Sequence, residues 1–433
     1  MLRQSLSVLR IQQRKLNRIG RVWSAAAFST SPLAPPRTPA HPPRIPQVIN
    51  PPALLSSHFT PPIHTTTTTT VHTTAAIHTT ANIMTAPPVL RIGVAGAGRM
   101  GRIHIENILS LSRVTVTAVC TVLPHEIEWA KSVLGPEGVV TPDYNEFVNL
   151  PNVDAVLLVT PTGFHKDQVF GALKAGKHVL CEKPIAGNPA DAWAVYYESL
   201  KYPNLKVACA FPRRYASVFV EAARRIKNGE IGEVTTLRSQ TTDLYQNDEF
   251  LINYIKHSGG IFVDCTIHDI DACLYLLGKD VLPTSAYGTG SANLFPQFKE
   301  FGDVDDALGL VNLDGDKTVM NVYGSRNNRH GHHTMTEIMG TKGRILINGQ
   351  PRLLQVDISD ETGTRMIGAK SHMELFTEAF KLEIEGFRDW ILDGTEAHFN
   401  LKDAAKAVSI AYSLMESLRS KHSVDIALPG PSA

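Results

Sequence analysis

Acidic residues are missing from the first quarter of this 433-residue chain. Residues 1–105 contain eleven lysines and arginines but no aspartate or glutamate, and the first acid is Glu106. The remaining 328 residues carry 31 basic against 41 acidic side chains, a net charge of −10 that the whole-chain value of +1 conceals. An acidic body is a poor electrostatic match for nucleic acid, because that ligand requires a basic surface. We therefore expect no nucleic-acid partner.

Cysteine is scarce, and long apolar runs are absent. The five cysteines show no Cys-x-x-Cys spacing and mostly lie inside apolar segments, so we expect reduced core thiols in an intracellular compartment. No apolar stretch approaches the ~18 residues of a membrane span, so we expect no membrane insertion. With 43% hydrophobic and 19% charged residues, the chain can form two globular cores.

The first 88 residues have the composition of a targeting segment and a linker. At about 100° per residue, the arginines of residues 1–31 fall on one helical face and the leucines on another, which is typical of a mitochondrial transit peptide. The alternative is a basic disordered tail. Residues 32–88, rich in proline and threonine, predict a disordered linker. The predicted location is mitochondrial if the amino terminus is translated as given, and cytoplasmic if translation starts at Met84.

Residues 89–211 alternate short apolar runs with helical patterns. Near-continuous apolar runs are typical of parallel strands that are buried on both faces. The alternation predicts a doubly wound parallel sheet, an α/β domain of the Rossmann type. The strands are expected at 89–95, 115–120, 154–160, 178–181 and 206–210, and the helices at 103–111, 165–175 and 190–200.

Residues 212–433 have a different rhythm, with longer alternating strands. The pattern predicts an α+β domain with a largely antiparallel sheet, including hairpin turns at 314–317 and 340–343, where glycine supplies positive φ. The strands are expected at 234–241, 305–313, 318–323, 335–339 and 344–347, and the helices at 217–228, 374–392 and 401–418.

A glycine motif, Gly96-x-Gly98-x-x-Gly101, follows the first strand and opens a helix. Gly96 permits the tight turn, Gly98 lets the backbone approach a pyrophosphate, and Gly101 allows close packing of helix and strand. The helix amino terminus then meets the phosphate charge. Together with Arg99 and Met100, these glycines are the predicted dinucleotide cradle.

The expected acidic residue at the end of the second strand is missing. This acid binds the ribose hydroxyls of NAD, and here the position holds Thr121 with no carboxylate apparent nearby. Thr121, Arg99 or His125 could contact a 2′-phosphate instead, or Thr121 could bond the ribose of NAD. The cofactor is therefore NAD or NADP, with a slight lean to NADP.

Three further segments carry candidate site residues. Thr160, Pro161 and His165 lie at the carboxyl end of the strand expected at 154–160, the ligand side of such a sheet, although an ordinary turn and helix cap is the alternative. Glu182 and Lys183 follow the strand expected at 178–181 in the same way, and an ammonium there can stabilise charge on a substrate oxygen.

Asp264 and His268 lie four residues apart after a glycine turn, so on one helix they would share a face. The carboxylate would orient the imidazole, which would act as a general base. A helix cap and a structural histidine are the alternative reading of this pair.

Five motifs occur in order: Gly-x-Gly-x-x-Gly, Thr-Pro-x-x-x-His, Glu-Lys-Pro, Arg213-Arg214-Tyr215 and Gly-Gly-x-x-x-Asp-x-x-x-His. In this the chain resembles the glucose–fructose oxidoreductase/inositol dehydrogenase/MocA family over residues 89–420, and inositol 2-dehydrogenases most. The resemblance implies NAD(P), hydride transfer from a cyclic polyol or sugar hydroxyl, and dimers or tetramers formed through an exposed sheet face. It also implies that Lys183, Asp264 and His268 are catalytic and that Arg213 lies near the substrate.

One segment departs from that family. Inositol dehydrogenases carry Tyr-Gly-Tyr-Asp where this chain has His330-Gly331-His332-His333, so His330 and His332 are expected at the polyol site and myo-inositol is not carried over as the substrate. Adjacent histidines can suggest a metal, but we find no fourth ligand and predict none. The rival functions are a dinucleotide-sensing regulator without catalysis and an NAD-dependent glycosidase. Reduction of an imine or an aldehyde would need only the reverse hydride direction.

Overall fold

A computed structural model describes residues 87–246, 249–354 and 356–430. The predicted targeting segment, residues 1–31, and all but the last two residues of the predicted linker lie outside these ranges. Within them, no helix combines the length and apolar character needed to cross a bilayer.

The first sheet is parallel throughout and confirms the predicted Rossmann fold. Its strand order is β3-β2-β1-β4-β5-β6, the doubly wound order in which the chain reverses direction beside β1. The strands are β1 Leu90–Ala95, β2 Val114–Cys120, β3 Val139–Thr141, β4 Ala155–Leu158, β5 His178–Cys181 and β6 Val207–Cys209. The helices that connect them are α1 Arg99–Leu109, α2 Pro124–Leu134, α3 Tyr144–Val148, α4 His165–Lys174 and α5 Pro189–Ser199.

Sequence patterns missed two helices and one strand in this half. β3 is an edge strand of three residues, too short to show a period, and α3 has only five residues. The first helix also begins four residues earlier than predicted, because Gly98 serves as its amino-terminal cap.

The second sheet has seven strands in the order β12-β11-β7-β10-β9-β8-β15 and confirms the largely antiparallel prediction. Only β7 and β10 pair in parallel among the registers described. A separate hairpin, β13 and β14, follows β12. The strands are β7 Val234–Leu244, β8 Pro283–Ser291, β9 Asp306–Leu313, β10 Thr318–Asn328, β11 His333–Gly340, β12 Gly343–Ile347, β13 Asp357–Asp360, β14 Gly363–Met366 and β15 Val424–Asp425.

Strand β8 escaped prediction because it is rich in glycine, serine and threonine. Its glycines are required by packing: a Cβ on Gly288 would lie 2.4 Å from the carbonyl oxygen of Leu414, and one on Gly290 would lie 2.4 Å from that of Asp306. A helix and a neighbouring strand therefore approach the backbone of β8 directly. Both predicted hairpins are present, and Gly315 in the first has a φ of 64°.

The helices of the second half cover one face of this sheet and join it to the first domain. They are α6 Ser217–Lys227, α7 Glu249–Ile255, α8 Ile261–Asp264, α9 Ile267–Leu277, α10 His372–Leu375, α11 Thr377–Leu392 and α12 Leu401–Ser420. The expected single helix after the glycine turn is instead two, α8 and α9, with a break at Cys265 and Thr266. Asp264 and His268 therefore do not share one continuous helical face.

Two adjacent buried arginines, which follow β6, connect the two halves of the chain through ion pairs and hydrogen bonds. On the short 3₁₀ turn Pro212–Tyr215, Arg213 donates to Asp269 at 2.8 Å and to Thr241 at 2.6 Å. Arg214 forms a two-pronged pair with Asp271, with donor–acceptor distances of 2.9 and 2.7 Å. Both aspartates lie on α9, so the end of the first sheet is fixed to that helix.

The other face of the seven-stranded sheet is open in the single chain. Outward side chains from neighbouring strands form cross-strand rows, such as Tyr287 opposite Leu310 and Leu308 opposite Tyr323. Leu308 and Leu310 are 48% and 46% exposed, respectively.

Candidate active site

The carboxyl ends of β1, β4, β5 and β6 meet along one edge of the parallel sheet. In doubly wound folds ligands bind in the crevice outside these ends. Helices α8 and α9 of the second half approach this crevice, because Lys183, after β5, reaches Asp264 on α8. The site therefore lies between the two halves of the chain.

A different geometric constraint requires glycine at each of the three positions of the motif. Gly96 has a φ of 96°, and a Cβ there would lie 2.6 Å from the carbonyl oxygen of Val159. A Cβ on Gly101 would lie 2.1 Å from the carbonyl oxygen of Gly96, so helix α1 can approach β1 only without a side chain. Beside Gly98, a Cβ would meet only Glu126, at 3.6 Å, which leaves room for a ligand.

The amino terminus of α1 is prepared for an anion. No side chain caps it and no acid lies in its first turn, so the free amide groups and the helix dipole favour a phosphate. Arg99 is exposed there and Met100 is half-buried. The residues present thus fit the pyrophosphate of a dinucleotide.

The end of β2 contains a carboxylate that sequence reasoning missed. Thr121 is buried and its hydroxyl donates to Glu126, in the first turn of α2. The expectation of no acid near Thr121 is therefore wrong. The acid was missed because it lies five residues beyond Thr121. Helix α2 begins at Pro124, and its first turn brings Glu126 back beside the end of β2.

The loop after β4 is braced by His165. Its two ring nitrogens each lie 2.8 Å from a carbonyl oxygen, those of Pro184 and Thr160, and the ring is buried. Both polar atoms thus have partners within the chain, and the expected contact of His165 with the cofactor stays a prediction. Thr160 donates its hydroxyl to Gln168 at 2.5 Å, whereas Pro161 is exposed at the crevice edge.

The carboxylate of Glu182 is also hydrogen-bonded within the protein. One carboxylate oxygen lies 2.7 Å from Nε2 of buried His104 on α1, and the other accepts the backbone N–H of Lys183 at 3.1 Å. Burial alone would raise the pKa of Glu182, but the hydrogen bond with His104 and the charge of Lys183 hold it below its usual value. Glu182 thereby fixes the Glu-Lys-Pro loop to helix α1, and its expected contact with the cofactor stays a prediction.

Asp264 is the electrostatic centre of the crevice. Its carboxylate accepts from Tyr254 at 2.6 Å and from Arg326 at 2.9 Å, and it lies 3.6 Å from the Lys183 ammonium. Lys183 also donates to the backbone carbonyl of Asp264 at 3.0 Å. Burial would raise the pKa of Asp264, but Lys183 and Arg326 outweigh it and lower that pKa to about 2. The group is therefore a carboxylate that holds Lys183 in place.

His268 stands apart from that carboxylate. No hydrogen bond joins it to Asp264 in the described part of the chain, and its buried Nδ1 has no partner there. The expectation that Asp264 orients His268 directly is thus wrong, because the helix breaks between them. Burial, then the positive charge of Lys183, lowers the pKa of His268 well below its ordinary value. The imidazole is consequently neutral at physiological pH and able to accept a proton.

Two more imidazoles adjoin His268. The ring of His372, the first residue of α10, lies 4.9 Å from that of His268 and 5.6 Å from that of His332. His332 is 2% exposed and its Nδ1 lies 3.0 Å from Asp243. The Nε2 atoms of both His332 and His372 are buried without a partner among the described residues. Such unpaired polar atoms favour a polar ligand beside them.

Arg213 and His330, the other two residues expected to contact the substrate, have different surroundings. Arg213 is 1% exposed and spends its guanidinium on Asp269 and Thr241, so its nearest influence on the site is its charge. His330 is exposed in the loop between β10 and β11. The expected contact of each residue with the substrate stays a prediction. Among the described residues, no three histidine, cysteine or acidic side chains are placed to hold a metal ion.

Sequence patterns did not identify several residues of the site. Arg326 extends β10 beyond its predicted end, Tyr254 lies in a short helix that was not predicted, and His372 begins the helical pattern that was predicted from residue 374. Only the three-dimensional pairing of distant segments brings them together.

Two family models match the chain. The one described as "Oxidoreductase family, NAD-binding Rossmann fold" covers residues 90–204, and the "GFO/IDH/MocA C-terminal domain" covers residues 219–346.

Individual relatives agree with these matches. The chain is 31% identical over 340 residues to the myo-inositol 2-dehydrogenase of Thermotoga maritima, which covers 78% of this chain and 98% of the relative. It is 33% identical over 306 residues to the scyllo-inositol 2-dehydrogenase (NAD(+)) of Bacillus subtilis, covering 70% and 87%. The solved structure of scyllo-inositol dehydrogenase from Lactobacillus casei with bound NAD(H) and scyllo-inositol has a TM-score of 0.73 at 31% identity, covering 78% of this chain and 99% of that one.

Proposed function

The chain belongs to the GFO/IDH/MocA oxidoreductase family, and on that premise we propose that it oxidises a secondary hydroxyl of a cyclic polyol with NAD. One observation carries the proposal most directly. The ammonium of Lys183 and the imidazole of His268 come from different halves of the chain, and they are close enough for the charge of Lys183 to lower the pKa of His268. Those are the two groups that removal of a hydroxyl proton requires.

Each residue has a defined part in the reaction. NAD, when bound, supplies the hydride acceptor. Lys183 donates to the substrate oxygen and stabilises the negative charge that develops on it, while Asp264 holds Lys183 through its carboxylate and carbonyl oxygens. His268 takes the hydroxyl proton, since its lowered pKa keeps it unprotonated.

His332 and His372 are proposed to bind the remaining hydroxyls. Asp243 accepts from Nδ1 of His332, so the uncharged tautomer that fits this bond has its proton on Nδ1 and offers Nε2 as an acceptor. A polyol offers a ring of hydroxyl donors to such acceptors. The relatives named inositol dehydrogenases support a cyclic polyol, and the histidines in place of tyrosines favour a ring whose hydroxyl arrangement differs from that of myo-inositol.

The test is the Lys183→Met variant beside a matched control. Lys174→Met removes an exposed lysine on α4 and should leave activity unchanged. Formation of NADH is followed against a panel of inositols and aldoses, and binding of NAD⁺ is measured by calorimetry. Lys183→Met should lose roughly 10²–10³ in kcat while still binding NAD⁺.

Three outcomes would contradict the proposal. Wild-type turnover by Lys183→Met would remove Lys183 from the chemistry. Free sugar released from a glycoside without net NADH would identify a glycosidase, and NAD⁺ binding with no oxidation across the panel would indicate a dinucleotide sensor.

We further propose that two chains associate through the open face of the seven-stranded sheet. Exposed Leu308 and Leu310 lie in rows with Tyr287 and Tyr323, and an apolar sheet face of this kind is suited to a second copy. The double variant Leu308→Asp/Leu310→Asp should have a smaller mass by light scattering, whereas Leu200→Asp, an exposed leucine outside the sheets, should not. An unchanged mass for the double variant would place the interface elsewhere.

A further inference from the structure

We propose that Glu126 binds the adenosine ribose hydroxyls and selects NAD over NADP, in place of the acid that usually ends the second strand. The inference rests on the proposed use of a dinucleotide. It assigns a role to a residue that lies outside the glycine motif and outside the chemistry described above.

The position of Glu126 follows from the end of β2. Cys120 pairs with Ala95 of β1, and its carbonyl oxygen accepts the backbone N–H of Gly96 at 2.8 Å. The end of β2 is therefore held beside the first glycine of the cradle. In NAD-binding folds, a carboxylate at this place accepts the ribose hydroxyls.

Thr121 occupies the usual position of that acid but is not free to act. It is buried, its backbone N–H is bonded to the carbonyl oxygen of Thr141 at 3.1 Å, and its hydroxyl donates to Glu126. Thr121 thus serves as a support that fixes the carboxylate of Glu126. A threonine hydroxyl committed in this way is a poor partner for a phosphate.

The carboxylate itself faces the cradle. Glu126 is 8% exposed, one oxygen accepts from Thr121, and Oε1 lies 3.6 Å from where a Cβ on Gly98 would stand. No other described side chain bonds to Oε1. The glycine that lets the backbone approach the pyrophosphate is therefore next to an acceptor suited to a ribose hydroxyl.

Charge decides between the two dinucleotides. A 2′-phosphate at this point would meet a buried carboxylate of like sign, which costs far more than the loss of one hydrogen bond. The basic candidates do not offset it: Arg99 and His125 are exposed, and neither makes a described hydrogen bond to Glu126. The earlier slight lean to NADP is thereby reversed.

The experiment compares Glu126→Gln with Glu128→Gln in the full chain. Glutamine keeps the shape and can still accept from Thr121, but it removes the charge; Glu128 is an exposed acid on the same helix. Dissociation constants for NAD⁺, NADP⁺ and 2′-deoxy-NAD⁺ are measured by calorimetry, with thermal melting as the check on folding.

Wild type should bind NAD⁺ roughly 100-fold more tightly than NADP⁺. In Glu126→Gln this ratio should fall at least roughly tenfold, and the penalty for 2′-deoxy-NAD⁺ should largely disappear. Glu128→Gln should match wild type.

An unchanged NAD⁺/NADP⁺ ratio in a folded Glu126→Gln would overturn the inference, as would equal binding of both dinucleotides by wild type. If wild type binds NAD⁺ selectively but oxidises no polyol, the proposed function fails while this inference is supported.

Discussion

The glycine cradle and the proposed proton-transfer centre differ in the kind of atoms that form them. The cradle is made of backbone: three glycines within six consecutive residues, with the amides of one helix. The centre is made of side chains from five separate segments, in which Lys183, Tyr254, Asp264, Arg326 and His268 share one crevice. The first depends on the space that is left empty, and the second on a balance of buried charge.

This difference predicts different kinds of damage. Adding atoms to the cradle should block ligand binding and leave the remaining fold intact. Removing one charge from the centre should affect the stability of the whole chain, because an unpaired buried ion is costly.

The largest effect is expected for Arg326→Met. The guanidinium is 4% exposed and pairs with Asp264, so its removal leaves that carboxylate with only Lys183 and Tyr254 beside it. The free energy of unfolding should fall by about 3–5 kcal/mol in urea titrations. Arg344→Met, which breaks an exposed pair with Glu337, should cost less than about 1 kcal/mol. Equal losses for the two variants would contradict a charge-balanced centre.

Gly101→Ala should have the next largest effect, on the cradle alone. The new Cβ would lie 2.1 Å from the Gly96 carbonyl oxygen, so α1 must move away from β1. The affinity for NAD⁺ should drop roughly 10- to 100-fold by calorimetry, since strain of this kind costs on the order of 1–3 kcal/mol. Gly187→Ala, with no atom within 4 Å of the added Cβ, is the matched control. Unaltered affinity in Gly101→Ala would show that close packing is not required.

The smallest effect concerns pH. His268 must be unprotonated to act, and burial with the Lys183 charge lowers its pKa well below 6.5. The value of kcat/KM should therefore stay level as the pH falls to 6.5 and decline only in more acidic solution, as His268 is protonated. NAD⁺ affinity should not change over pH 6.5–8, because the cradle is backbone. An acid limb centred at or above 6.5 would contradict a neutral, buried base.

The difference between a contiguous cradle and a centre assembled from distant segments explains which residues could be predicted from the sequence. The glycine motif was predicted because each functional atom belongs to a contiguous run directly after a strand. Lys183 was predicted for the same reason. Arg326 and His372 were not, because they reach the crevice only through the pairing of β10 with β7 and the placement of α10.

Two errors have one physical cause. Asp264 was assigned to His268, and no acid was expected near Thr121, because both inferences treated spacing along the chain as if the backbone ran on unbroken. A break at Cys265 separates the first pair, and a turn at Pro124 returns Glu126 to the strand end. Local spacing predicts contact only where one regular element spans both residues.

The turn at Arg213 and Arg214, with its buried ion pairs, has a consequence for how substrate specificity can change. Since Asp269 adjoins His268 on α9, the arginine pairs lock the base to the end of the first sheet, where Lys183 also resides. His332, just before β11, and His372, on α10, lie outside these arginine pairs. We therefore expect substitutions at these proposed polyol contacts to change the choice of substrate without moving the groups that we propose remove the proton.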